Sequence, residues 1–76
     1  MRAESISYEL NARGMRCPMP VLRLRRKLAE MQSGDTILIY FDDPNAAKDI
    51  PAFCVESGHS LIEIDEKLGC ATVAKT

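Results

Sequence analysis

The residues best suited to chemistry stand together in Gly14-Met15-Arg16-Cys17-Pro18-Met19-Pro20, a cysteine set between arginine and proline. Proline has no N–H and a fixed φ, which suits a first helical turn, so Pro18 and Pro20 predict that a helix begins here. Cys17 then falls at the N-cap, where backbone N–H groups and the positive end of the helix dipole would face its sulfur. Pro20 offers no N–H, leaving the Met19 amide as the nearest donor. Arg13 and Arg16 are close in sequence and Arg23 follows a turn and a half into the helix, so the expected local field is positive. A free thiol titrates near ~8.5 and is a few per cent ionised at neutral pH; lowering its pKa by about 1.5 units makes roughly half of it thiolate. Such a thiolate can take a sulfur atom from a donor persulfide, and the same field would stabilise the resulting Cys17 persulfide anion. Prolines on both sides of Met19 restrict the backbone, so the sulfur is presented at small entropic cost. The alternative is a proline-started helix in which the cysteine is incidental, but N-caps favour Ser, Thr, Asp and Asn.

The other candidates are weaker. His59, the only histidine, follows Gly58 at the far end of a predicted second helix, which argues against a Cys-His hydrolase. Three cysteines at wide spacing, with no C-x-x-C pair, give neither a disulfide framework nor a zinc site, and no metal or cofactor is expected. Cys54, next to Phe53, reads as a small buried hydrophobe, and Cys70 as a packing residue at a strand end. There is no phosphate-cradling glycine loop and no paired-carboxylate site.

The elements that must position Cys17 can be read from periodicity. Ile6, Tyr8 and Leu10 alternate with polar residues, the pattern of a half-buried strand, and residues 11–16 form a loop through Gly14. Val21, Leu24, Leu28 and Met31 recur at spacings of three and four, predicting a helix from Pro18 to Met31. Thr36 to Phe41 reads as a buried central strand. Asp42-Asp43-Pro44-Asn45 offers caps for a second helix, Ala46 to Ser57, in which Pro51 would force a break or an irregular first turn. Gly58 ends that helix; Leu61, Ile62 and Ile64 mark a third strand; and Cys70 to Lys75 make a fourth, joined to it as a hairpin. The expected fold is βαβαββ, a two-layer α/β sandwich with two helices on one face of a mixed four-stranded sheet, forming one domain over residues 1–76.

Totals restrict the function further. With 76 residues, only one small core can form, so chemistry must happen near the surface, in a cleft completed by a second protein. The longest apolar run, Ile37 to Phe41, is far too short to span a bilayer, and the N-terminus lacks an apolar signal segment, so a cytoplasmic protein without membrane contact is expected. Residues 1–31 carry seven Lys/Arg against three acids and residues 32–76 three against eight, although the net charge is only −1. The basic half, with Arg23, Arg26 and Lys27 near the exit of Cys17, is a docking face for an acidic partner or else simply solvated. A regulatory or RNA-binding module using that helix face is the competing function. The near-neutral charge and the absence of aromatics interleaved with the basic residues argue against nucleic acid.

Gly14-x-x-Cys17-Pro18-x-Pro20, Gly34-Asp35 before an apolar strand, Asp42-Asp43-Pro44, Asp49-Ile50-Pro51-x-Phe53-Cys54 and Gly58-His59 together resemble the TusA/SirA family of small sulfur-carrier proteins, over nearly the whole chain. The resemblance implies a cytoplasmic carrier, taken here as a monomer, whose C-P-x-P cysteine, Cys17, receives persulfide sulfur from a cysteine desulfurase or another sulfurtransferase. An acceptor protein in tRNA thiolation, molybdenum cofactor synthesis or sulfur oxidation would then take it. Two positions depart from the family pattern: Asn11, where relatives often carry aspartate, and Cys70.

Overall fold

In the computed structural model, which describes residues 7–76, the order is β1 (Tyr8–Asn11), α1 (Met19–Glu30), β2 (Thr36–Tyr40), α2 (Ala46–Ser57), β3 (Ser60–Asp65) and β4 (Cys70–Ala74). Ile6, the first residue of the expected β1 alternation, lies outside the described residues. The β-branched run of β2 pairs with β1 in parallel, Leu10 opposite Ile39, and with β4 in antiparallel, Ile37 opposite Val73. β3 adds to β4 by the hairpin, giving the spatial order β1-β2-β4-β3. β4 therefore lies between β2 and β3, which are parallel to each other but do not touch as strands. A bulge between Leu61 and Glu63 leaves Ile62 as the extra residue, and its side chain is exposed.

Both helices cover the sheet face formed by Ile37, Ile39, Ala71 and Val73. From α1 they bring Leu24 and Leu28, and from α2 Ala46, Ile50 and Cys54, at spacings of four that put each set on one stripe. Full burial of Leu24, Leu28, Ile37, Ile39, Ile50 and Val73 contributes roughly 1.5–3 kcal/mol each. The basic residues of α1 stay outside, as its 3–4 spacing requires. α2 runs through Pro51 without a break. Its irregularity is confined to the first turn, where Ala46, Ala47 and Lys48 bond to the carbonyls of Asp43, Pro44 and Asn45, three residues back.

Because β1 and β2 are parallel neighbours, their carboxyl ends lie side by side. The β1–α1 loop, which carries Cys17, and the β2–α2 loop, which carries Asp42 and Asp43, must leave the sheet at the same edge. Ala12 enters the core there, fully buried, and its N–H donates to the Tyr40 carbonyl at 2.8 Å.

Candidate active site around Cys17

The β1–α1 loop is held by carboxylates from across the edge. Gly14, with φ +83°, turns the chain and donates its N–H to both carboxylate oxygens of Asp42 at 3.0 Å. Asp43 Oδ2 accepts the Cys17 N–H at 2.7 Å, and its Oδ1 accepts the Asn45 N–H at 3.0 Å. Those two amides, with Arg16 adding charge, hold the Asp43 carboxyl below its usual range. The sequence reading gave Asp42 and Asp43 to capping α2. Instead Asp42 and one oxygen of Asp43 clamp the cysteine loop, and the α2 N-cap, Asn45, makes no side-chain cap.

Cys17 itself is half-buried and packs against the core, as do Met15 and Val21. Three expectations about it are corrected. It precedes the N-cap, which is Pro18, and α1 starts at Met19. The Met19 N–H is spent on the Arg16 carbonyl at 2.9 Å, so it does not face the sulfur. The thiol is also not acidified. Its Sγ donates to Asp49 Oδ2 at 2.8 Å, and that bond, with desolvation and the charges of Asp49 and Asp43, pushes the thiol pKa up to about 11. The side chain bonded to the sulfur is a carboxyl group, and Arg13 and Arg16 turn elsewhere. The Arg13 guanidinium stacks over the Tyr40 ring, 4.5 Å from its centroid, and Arg16 lies near Asp43.

Asp49, in the first turn of α2, is the side chain bonded to the Cys17 thiol that reading the residues missed. It had appeared only as part of a family pattern, and nothing in its own neighbourhood marks it as a partner for a residue 32 positions earlier. From it a groove runs between the helices, lined by Pro18, Val21, Leu22, Arg25, Asp49 and Phe53, among others. The basic residue on this groove is Arg25, not Arg23, Arg26 or Lys27. Arg23, Arg26 and Lys27 sit with Glu9 and Glu30 on the β1 side of α1, where the Lys27 ammonium lies 5.5 Å from the Tyr8 ring centroid and 3.8 Å from Glu30.

Of the remaining cysteines, Cys54 is buried in the core and its thiol pKa is raised by that burial, while Cys70 is half-buried at the start of β4, opposite Tyr40. His59 accepts a hydrogen bond from the Thr76 N–H and lies far from Cys17 in the chain, at the end of α2. Among the described residues no three His, Cys, Asp or Glu side chains converge where a metal ion could be held. No helix of the described residues is long and apolar enough to cross a membrane.

A loop clamped by two aspartates that presents one thiol beside an interhelical groove is a surface site for one reacting sulfur. The profile of the sulfurtransferase TusA family matches residues 8–74. The chain belongs to the TusA family. It is also similar to the crystal structure of a SirA-like protein from Desulfitobacterium hafniense, with a TM-score of 0.72 and 22% identity, covering 88% of this chain and 92% of that one. At that identity the likeness establishes the fold, two helices against a mixed sheet, as the residue pattern predicted. Family membership establishes a sulfur-carrier role in general, and therefore a donor and an acceptor of sulfur.

Proposed function

We propose that this TusA-family chain carries sulfane sulfur as a persulfide on Cys17, accepting it from a cysteine desulfurase or another sulfurtransferase and passing it to an acceptor protein. The observation that carries the reading is the position of Cys17. It is the family's C-P-x-P cysteine, the only one of the three held by side chains from another element, and it stands beside an open groove rather than in the core. Pro18, Met19 and Pro20 set the start of α1 behind it, and Gly14, Arg13 and Arg16 belong to the loop in front. The groove is shallow and open, so a partner must complete the reaction site. Arg25, with Arg23, Arg26 and Lys27 further round α1, offers a basic approach for an acidic one. Carriage takes place in the cytoplasm, by a single domain acting as a monomer.

The test is mass spectrometry of the protein after incubation with a cysteine desulfurase and cysteine. One added sulfur atom is expected on Cys17, none in folded Cys17→Ser, and one in a folded Cys54→Ala, Cys70→Ala double variant. Sulfur retained by Cys17→Ser, or lost from the double variant, would place the chemistry on another residue.

A further inference from the structure

The Cys17 thiol and the Asp49 carboxylate form a dyad built from two separate elements, with Sγ 2.8 Å from Oδ2. We infer that Asp49 is the proton acceptor and donor for sulfur transfer at Cys17, holding the proton that the sulfur gives up as it attacks. The inference rests on the carrier role proposed above.

In the free protein the carboxylate stabilises the protonated thiol, because a neighbouring anion and a hydrogen bond to the neutral form both disfavour thiolate. A partner seated on the groove excludes water from both half-buried groups and raises the proton affinity of carboxylate and thiol alike, so it is the attack of the sulfur on the donor, which takes up its charge, that drives the proton onto Asp49. Charged groups around the dyad are few: Asp43 and Arg16 on the two loops, Arg25 from α1 and Glu56 from α2. Arg25 faces the groove without displacing the thiol from Asp49, so the carboxylate remains free to take the proton.

The step balances without an outside oxidant. The Cys17 S–H bond breaks, its proton goes to Asp49, and the sulfur's electron pair attacks the terminal sulfur of the donor's R–S–SH. A new S–S bond forms at Cys17 as the donor S–S bond breaks, and the R–S⁻ leaving group takes the proton from Asp49. Cys17–SH and R–S–SH become Cys17–S–SH and R–SH, with Asp49 ionised again. Delivery runs the same sequence in reverse, with Cys17 as leaving group and Asp49 as the acid that protonates it.

Asp49→Asn separates this role from a structural one, because the two readouts move in opposite directions. Removing the anion should speed alkylation of the free Cys17 by iodoacetamide at neutral pH, up to about tenfold. The same variant should load sulfur from a desulfurase at least about tenfold more slowly, since positioned acid–base groups contribute on the order of 10²–10⁴. Asp49→Glu should recover part of the loading rate. Loading in Asp49→Asn as fast as wild type overturns the inference while leaving the carrier role in place. Wild type that takes no sulfur on Cys17 removes the carrier role and the inference with it.

Discussion

Alkylating Cys17 with iodoacetamide across pH ~6 to ~11, with each cysteine followed separately by peptide mass spectrometry, measures how far Asp49 controls the sulfur. The thiol stands at about 11 against an ordinary 9.0. Two units mean about 100-fold less thiolate at neutral pH. A more basic thiolate is also a better nucleophile, by about 0.4–0.5 log unit per pKa unit, which returns roughly a factor of eight. The net expectation is a Cys17 about tenfold slower than an unperturbed thiol at neutral pH, with a rate that climbs close to tenfold per pH unit and levels only near pH ~11. The positive-field reading of the sequence requires the opposite, a fast Cys17 whose rate levels below pH ~8. A plateau there would refute the assignment of the Cys17 proton to Asp49. Linkage gives a second observable with a definite sign. The folded value lies above the unfolded one, so the protonated thiol contributes stability that is complete below the unfolded pKa and lost as pH rises through about 11. The urea midpoint should fall over that alkaline window in wild type and fall less in Cys17→Ser.

Arg25→Glu should slow sulfur loading more than the combined Arg23→Glu, Arg26→Glu and Lys27→Glu changes, and the wild-type rate should fall as salt rises; loading kinetics at two ionic strengths checks both, and equal effects would make the basic face uniform. Gly69→Ala should lower stability by more than about 2 kcal/mol in urea titration, because a Cβ at this φ of +75° would stand 2.3 Å from the Phe41 carbonyl oxygen, on top of the roughly 1–2 kcal/mol strain of a left-handed non-glycine residue.

What was legible in the sequence follows from locality. Val21, Leu24 and Leu28 mark α1 because a helical stripe is a short-range pattern, and its observed bounds differ from the predicted ones by one residue at each end. The end of α2 at Gly58 and the starts of β2 and β4 fall where turn and β-branched residues put them. Strand order was less visible, since the placing of β4 beside β2 depends on which edge the β3–β4 hairpin presents. The site was legible only in part. Cys17 could be found from Pro18 and Pro20, but the sign of its pKa shift could not, because the partners that decide it lie 26 and 32 residues away. Sequence proximity suggested Arg13 and Arg16, yet the loop turns Arg13 onto Tyr40 and leaves carboxylates around the sulfur.

The division of labour among the acids explains why one segment supplies all of them. Asp42 and Asp43 accept N–H groups of the cysteine loop, which would otherwise need water at an edge the loop partly closes, and Asp49 accepts the thiol itself. All three stand on the β2–α2 segment, anchored at Phe41, whose N–H donates to the Gly69 carbonyl at 2.8 Å. The backbone of the loop and its thiol are thereby bonded to one neighbouring segment rather than to α1, whose N-terminus bonds to its own loop at Arg16. A thiol kept protonated resists oxidation between transfers, because oxidation follows thiolate character and exposure. A carrier that meets its donor only intermittently gains from that. On the function proposed above, sulfur resides on the C-P-x-P cysteine and the aspartate facing it sets when the thiol reacts.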